Sequence, residues 1–356
     1  MRKPSIAIMS LAAALLLTGQ ACSISFRTSQ RLDGGVFRSR DAGITWQQAV
    51  NAGRTAKGKP VLIDNANIAS IDLDTINPSI IYLGTQGAGI YRSEDGGESW
   101  VQTGLNRGTY GAFAIDPSSN AVLYAASGGT IVKSADSGAS WTPIYIESKP
   151  DRGITDLAVQ PGNVSHVLAA TTTGELLLSK DFGNTWQLFS NLGVADSIAR
   201  LFFAPGSSTR VYALTPANSL FASDDAGASW RSLGPSLAAF PGAGAISSIA
   251  TLPAKPGVLY IASSYGLLKT ADGGATWDPI QTLVPFASQA IQFVAVNPKN
   301  TSIIYVVVGN RLRKSEDGGK NWDAKISLPT GRLVSALTLN PDNPEELFIG
   351  TLKPKK

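Results

Sequence analysis

Beyond its first few dozen residues the chain alternates between two kinds of apolar run. One kind comes in pairs around a proline-led turn, as in "IASIDLDTINPSIIYLGT", "YGAFAIDPSSNAVLYAAS" and "LVSALTLNPDNPEELFIG". Seven such pairs occur, with turn prolines Pro78, Pro117, Pro161, Pro205, Pro253, Pro298 and Pro341. Runs rich in β-branched residues on either side of a short turn predict a β-hairpin. Their near-continuous hydrophobicity predicts strands covered on both faces. The other kind is shorter ("GIYR", "LLLS", "LLKT") and leads into a polar, glycine-containing octapeptide that ends in tryptophan. No sustained 3.6-residue periodicity occurs beyond the N-terminal apolar stretch, so almost no helix is predicted.

The octapeptide appears seven times, as "SRDAGITW" at 39–46 and then as "SEDGGESW", "SADSGASW", "SKDFGNTW", "SDDAGASW", "TADGGATW" and "SEDGGKNW". These copies contain every tryptophan of the chain: Trp46, Trp100, Trp141, Trp186, Trp230, Trp277 and Trp322, at intervals of 54, 41, 45, 44, 47 and 45 residues. Within the pattern S-x-D-x-G-x-S/T-W, the carboxylates of Asp41, Asp95, Asp136, Asp181, Asp225, Asp272 and Asp317 are placed to accept backbone N–H groups of their own turn. The glycine supplies a positive φ where the hairpin bulges. The indole packs between neighbouring sheets, where its burial contributes on the order of 5 kcal/mol at most. The octapeptide thus turns a second hairpin, strands C and D, which follows the proline hairpin, strands A and B. Four strands repeated at this period make the blade of a β-propeller. The expected fold is all-β: a seven-bladed β-propeller with four antiparallel strands per blade. Because the chain opens on a C–D hairpin (34–50) and ends on an A–B hairpin (333–350), these two must combine into the seventh blade. Closure of this kind leaves no open blade edge. The long first interval predicts extra residues within 47–67.

The octapeptide resembles the Asp-box, or bacterial neuraminidase repeat, and the resemblance extends over residues 34–350. Thr270 at the head of the sixth copy and Asn321 in the seventh depart from the pattern. The resemblance implies that the boxes are turns on the rim of the face opposite a ligand site, with their aspartates and tryptophans structural. Among Asp-box proteins the chain is similar to the photosystem II assembly and stability factors, which are seven-bladed and in cyanobacteria carry a lipoprotein leader. The sortilin-type receptors are a larger, ten-bladed version. Xyloglucanase-type hydrolases pair two seven-bladed propellers with their acids facing one another. Sialidases are six-bladed and use an arginine triad with a Tyr/Glu pair; "SFRTSQ" (25–30) has the Phe-Arg but lacks the Ile-Pro of their opening.

Composition refines the picture at the two ends of the chain. Lys and Arg number 30 against 26 Asp and Glu, but Arg2, Lys3, Lys353, Lys355 and Lys356 are terminal, which leaves 25 against 26 in the body. A near-neutral body gives no argument for nucleic acid. "MRK" followed by the apolar "PSIAIMSLAAALLL" reads as a targeting segment too short to span a membrane. "TGQAC" then resembles a bacterial lipobox with Gly19 as its departure, which makes Cys22, the only cysteine, the expected lipid attachment site. The expected organisation is a lipoprotein signal peptide (1–21), a short tether (22–33), a single propeller (34–350) and a basic tail (351–356). The expected address is the bacterial cell envelope, on the extracytoplasmic side. The body, having no second cysteine, is held by its core rather than by disulfides.

Candidates for chemistry are sparse. His166, the only histidine, opens a B strand and reads as a packed or rim residue. No phosphate loop, dinucleotide fingerprint or zinc spacing is present, and "GTQGAG" (84–89) has no helix after it. No cofactor and no metal are expected. An inverting carboxylate pair drawn from Asp64, Glu147, Asp151 and Asp196 remains an alternative, since such pairs stand about 6.5–9.5 Å apart and loops can supply them.

If the boxes and proline turns share one face, the opposite face carries the D-to-A and B-to-C connections. Basic residues recur there on consecutive blades: Arg54, Lys57 and Lys59, then Arg107 with Tyr110, then Lys149 and Arg152, with Arg200 early in the next A strand and Arg332 just before the last. The remaining loops bring Phe240 and Phe286 without charge. A basic crescent beside an apolar sector fits an acidic protein segment or a polysaccharide. The function expected is that of a lipid-anchored, non-catalytic binding or assembly scaffold, its partners the membrane through Cys22 and a protein or polysaccharide, with no oligomer implied. The alternative is a carbohydrate-active hydrolase or lectin of the same propeller type.

Overall fold

The computed structural model describes residues 33–55, 57–194, 196–217, 219–253, 255–281 and 290–354. They build seven four-stranded antiparallel sheets. Blade 1 consists of strands Ile68–Leu73, Ile81–Thr85, Ile90–Ser93 and Val101–Gln102, and blade 2 of Ala112–Asp116, Ser119–Ser127, Thr130–Ser134 and Thr142–Ile146. Blade 3 runs Ile154–Val159, Val167–Thr171, Glu175–Ser179 and Gln187–Asn191, and blade 4 runs Arg200–Phe203, Val211–Leu214, Leu220–Ser223 and Arg231–Ser232. Blades 5 and 6 follow as Ile246–Thr251, Leu259–Ser263, Leu267–Thr270, Asp278–Ile280 and Ile291–Val296, Ile304–Val308, Arg311–Ser315, Asp323–Ser327. In each, strands A to D follow one another in sequence and in space.

The seventh blade is a composite. Its A and B strands are Leu333–Leu339 and Leu347–Leu352, and its C and D strands are Val36–Ser39 and Gln47–Gln48. Val36–Ser39 pairs antiparallel with Leu347–Gly350, so the described chain's two ends are neighbours in one ladder. The last strand reaches two residues into the stretch read as a tail, and Thr351 bonds Gly35 O through both its amide and its hydroxyl. The extra residues of the first interval form a small hairpin, Asn51–Arg54 with Pro60–Leu62. Four residues, Gly234–Leu237, are the one helix among the described residues.

Each octapeptide folds identically, for a reason that lies in its side chains. In blade 2, Ser134 Oγ donates to Asp136 Oδ1 (2.8 Å) and accepts from Gly138 N (2.8 Å), while Ser140 N donates to Oδ1 (2.9 Å) and Ser140 Oγ to Oδ2 (2.5 Å). The same four bonds recur at Asp41, Asp95, Asp181, Asp225, Asp272 and Asp317. The two departures in sequence preserve the pattern: Thr270 Oγ1 reaches Asp272 at 2.7 Å, and Asn321 Nδ2 replaces a hydroxyl at 2.7 Å from Asp317 Oδ2. The residue after each aspartate donates its N–H to the start of strand B in the same blade, at 2.7–2.9 Å, as in Gly96 to Ser79 O and Ala226 to Thr209 O. This bond places the boxes and the proline turns on one face, which meets the condition on which the opposite face was assigned the D-to-A and B-to-C connections. The glycine that follows has φ between 86° and 94° in all seven boxes. A Cβ there would also clash, lying 2.5 Å from Leu233 at Gly274 and 2.1 Å from Ile280 at Gly319.

The core is divided among the seven junctions between blades. At each, the box tryptophan of one blade shares a cluster with the equivalent strand-B residue of the preceding blade: Trp141 with Tyr82, Trp186 with Tyr124, Trp230 with Leu168, Trp277 with Tyr212, Trp322 with Tyr260, Trp46 with Tyr305 and Trp100 with Phe348. Trp100, Trp277 and Trp322 are buried and the others half-buried. Four indole nitrogens donate to the glycine carbonyl of their own box.

These bonds make the box sensitive to acid. The Ser140 hydroxyl and amide, followed by Ser134, hold the Asp136 carboxyl down at about 2, and those of Thr185 do the same for Asp181. With an ordinary value of 3.8, the unfolded chain takes up these protons first. The contribution is therefore complete above about pH 4 and lost as pH falls toward about 2. We expect denaturant midpoints to drop over that window. Replacing Asp136 by Asn should lower the midpoint at neutral pH and make the acid slope shallower; an unchanged slope in a pH series of urea melts would argue against box carboxylates as its source.

Candidate functional site

The face opposite the boxes is built from the D-to-A loops folding over B-to-C turns. In blade 1 the loop after strand D pairs with the turn through Gly89 N to Gly108 O and Gly108 N to Gly87 O, and Gln102 Nε2 ties both sides together. In blade 5 the turn residue Tyr265 receives Phe240 from the preceding loop, edge-on, with ring centroids 5.2 Å apart. The loops are thus organised by the turns beneath them rather than loosely solvated.

The residues of the expected basic crescent occupy four different settings. Arg107 and Lys149 are exposed on their loops. Arg54, Lys57 and Lys59 are exposed too, but on the extra hairpin, which lies against the outer edge of blade 1, where Trp100 N donates to Asn51 O and Trp100 Nε1 to Ala49 O. Residues 47–67 are therefore a docked element and not an open D-to-A loop. Arg152 is committed to the fold: its Nε donates to Glu147 Oε2 (2.6 Å) and its Nη1 to Glu175 Oε2 (2.7 Å), with Tyr145 Oη also on Glu147. Arg332 packs its guanidinium on Gly34, its Nη1 buried without a hydrogen-bond partner. Tyr110 is half-buried against the cluster around Tyr82, and burial raises its phenol. Phe240 is half-buried on Tyr265. Cys22 and Phe286 lie outside the described residues.

The carboxylates proposed as acids sort themselves likewise. Burial opposes ionisation of Glu147, but the hydrogen bonds from Arg152 and Tyr145 outweigh it and hold the carboxyl at about 2. A group fixed so low does not serve as a general acid. Asp196 accepts the amides of Ser197 and Ala217. Asp64 is half-buried and Asp151 exposed. Among the described residues no group of three or more His, Cys, Asp or Glu is gathered to hold a metal ion. His166 stands at the start of strand B of blade 3, half-buried, its Nδ1 2.8 Å from Gln160 Oε1.

Two carboxylates that the sequence did not single out, Asp72 and Asp156, join Arg200 on the inner strands. Asp72 and Asp156 both feel the charge of Arg200, and Asp156 also that of Asp72. Asp156 bridges blades 3 and 4, accepting Leu157 N (2.9 Å) and Leu201 N (2.7 Å). Burial lifts its carboxyl to about 6 in spite of Arg200 and these amides. Asp72 accepts Ser70 Oγ, and burial raises it as well. Arg200 remains exposed at the head of its strand. The signal for this trio was present as two aspartates inside otherwise apolar A strands, "IDL" and "ITDLAV".

Comparison with known proteins agrees with the architecture. The Sortilin-Vps10 family (sortilin, neurotensin receptor 3) matches residues 88–195, about two and a half blades. No curated protein matches the chain. Among solved structures, a GH74 xyloglucanase from Xanthomonas campestris superposes with a TM-score of 0.63 at 19% identity, over 86% of this chain and 52% of that one. A GH74 enzyme from Niastella koreensis gives 0.63 at 20%, over 88% and 53%. The chain thus spans about half the length of these enzymes. YCF48 from Cyanidioschyzon merolae gives 0.60 at 15%, over 80% of this chain and 95% of that one, and a YCF48 structure bound to D1 peptide gives 0.60 at 17%, over 80% and 93%. At these identities the likeness establishes the propeller fold.

The settings of the arginines predict different costs of removal. Replacing Arg152 by Ala leaves Glu147, whose side chain is 1% exposed, as a buried uncompensated charge. Breaking such a pair costs about 3–5 kcal/mol. Replacing the exposed Arg107 should change stability by no more than about 0.5 kcal/mol. Denaturant melts of the two variants check this difference.

Proposed function

We propose that this chain is an Asp-box propeller anchored through Cys22 on the outer side of a bacterial membrane, where it binds an acidic, partly apolar protein segment without catalysing a reaction. The observation that carries the reading is the division of labour between faces. All seven box carboxylates are consumed by their own turns. The opposite face keeps Arg107, Lys149 and Arg200 exposed, with the aromatic pair of Phe240 and Tyr265 on the same side. Exposed guanidinium groups recognise carboxylates through paired N–H donors, and adjacent half-buried rings supply apolar area. That a propeller of similar size and fold, YCF48, has been captured with a peptide bound supports a protein partner.

A hydrolase reading rests on Asp72 and Asp156, the carboxylates gathered around one cation. Against it, both oxygens of Asp156 already accept backbone amides, which leaves the carboxyl little freedom to deliver a proton to a substrate.

One experiment separates the two. The full-length protein, its Arg107→Glu/Lys149→Glu variant and its Asp72→Asn/Asp156→Asn variant are used to capture partners from solubilised envelope membranes and are incubated with a glycan panel. We expect the charge-reversed protein to lose capture while keeping its melting temperature within a few degrees, and no glycan to turn over. Capture that survives charge reversal removes the binding face; glycan turnover abolished in the Asp variant establishes the hydrolase.

A further inference from the structure

The seven repeats act as controls for one another, and one junction departs from the rest. In six blades the strand-B residue at the junction is a buried aromatic: Tyr82, Tyr124, Tyr212, Tyr260, Tyr305 or Phe348. Four of these rings carry a cation from strand C of the same blade above them, as Arg92 does over Tyr82 and Lys133 over Tyr124. The ring sits beneath the box of the next blade: Tyr124 Oη donates to Phe182 O (3.1 Å), and Gly183 approaches the same ring. In blade 3 both partners are replaced, the aromatic by Leu168 and the cation by Leu178.

The missing ring leaves space. A crevice of about 210 Å³ opens there on the box face, with Leu168, Leu178 and Phe189 below and His166, Lys180 and Asp225 around it. Phe189 partly compensates from strand D, where other blades carry Thr103, Ile144, Leu233 and Ile280 on that strand or just after it, but it does not close the gap. Apolar cavities of about 150 Å³ accept benzene-sized ligands. At the neighbouring junction the equivalent place is filled by a phenol whose hydroxyl donates to a box carbonyl; the corresponding carbonyl here is that of Ala226, which lines the crevice. Lys180 supplies the cation missing from strand C.

We infer that the crevice between blades 3 and 4 is a binding site for a small phenolic ring, seated on Leu168 and Leu178 with its hydroxyl toward the Ala226 box turn and its face toward Lys180. This site is on the opposite side from the proposed protein-binding face and stands or falls separately from it.

The test titrates the full-length protein with p-cresol, using cyclohexanol as a non-aromatic control. His166 is the only histidine of the chain, so its imidazole proton resonances are a single reporter at the rim. We expect p-cresol, and not cyclohexanol, to shift them by ring current in a saturable way. Leu168→Tyr, which returns the ring from within, should abolish the saturable shift and raise the melting temperature; Leu168→Phe serves if the hydroxyl is not accommodated. No saturable shift in the unsubstituted protein overturns the inference, as does p-cresol binding that persists in a folded Leu168→Tyr or Leu168→Phe protein. If neither variant folds, a saturable shift produced equally by cyclohexanol overturns it, and one confined to p-cresol upholds it.

Discussion

The pairing of Val36–Ser39 with Leu347–Gly350 is the constraint on which the molecule depends. Each junction's core is made from both of its blades, and the blade that joins the two ends of the described chain contributes to two of these cores. Opening the ladder between the chain's two ends would expose Phe37, Leu347, Phe348 and Ile349, all buried, and leave a row of backbone donors and acceptors unpaired. The composite blade avoids this by making closure a strand-to-strand event inside a sheet. It also brings Arg38, from one end of the described chain, against Glu346, from the other, with both side chains largely buried.

Given closure, the boxes perform a local task that lets the ring be built from similar parts. Each one fixes the C–D turn through a carboxylate that accepts from its own backbone and hydroxyls, then fastens that turn to strand B of the same blade. The turn so fixed delivers its tryptophan to strand B of the preceding blade, where it meets an aromatic residue at six junctions and Leu168 at the seventh. Turn chemistry, sheet pairing and junction packing are therefore one linked unit repeated seven times, and the consistency among these levels is what makes a repeat sequence specify a single ring.

The blade count, the composite closure and the presence of extra residues in 47–67 were legible because each rests on local rules: paired apolar runs, a turn residue, a fixed offset. Asn321 illustrates how far such rules reach, since its amide takes over the hydroxyl's bond without changing the turn. The candidate site was less legible. Sequence places Arg152 on a loop, but only the fold brings Glu175, 23 residues away, to its guanidinium. Likewise the electrostatic grouping of Asp72, Asp156 and Arg200 joins three blades and has no sequence spacing to announce it. Pairings across blades depend on where the ring places each strand, which local pattern does not encode.

Departures from the repeat mark the places where a propeller stops being merely a scaffold. A position that repeats in all seven blades is explained by the blade; a position that differs in one needs a separate cause. The buried Arg152 network, the inner-strand charges, the added hairpin and Leu168 are such departures, and they do not carry equal weight. Arg152 is compensated on the spot by two carboxylates, so its difference ends within the fold. Asp156 is half-compensated: its amide partners satisfy its oxygens while burial still raises its carboxyl, which leaves the inner strands with charge that becomes proton-dependent near pH 6. Since its folded value is above the ordinary 3.8, the folded chain takes up this proton first, and its contribution weakens as pH rises from about 4 through about 6, opposite in sign to that of the boxes. The box carboxylates favour the folded ring at the same pH values at which Asp156 opposes it, so the outer rim stabilises a ring whose inner strands hold an unfavourable buried charge. A fold with surplus stability at its rim tolerates such a group, and tolerance of this kind is what permits function to be placed on an otherwise uniform ring.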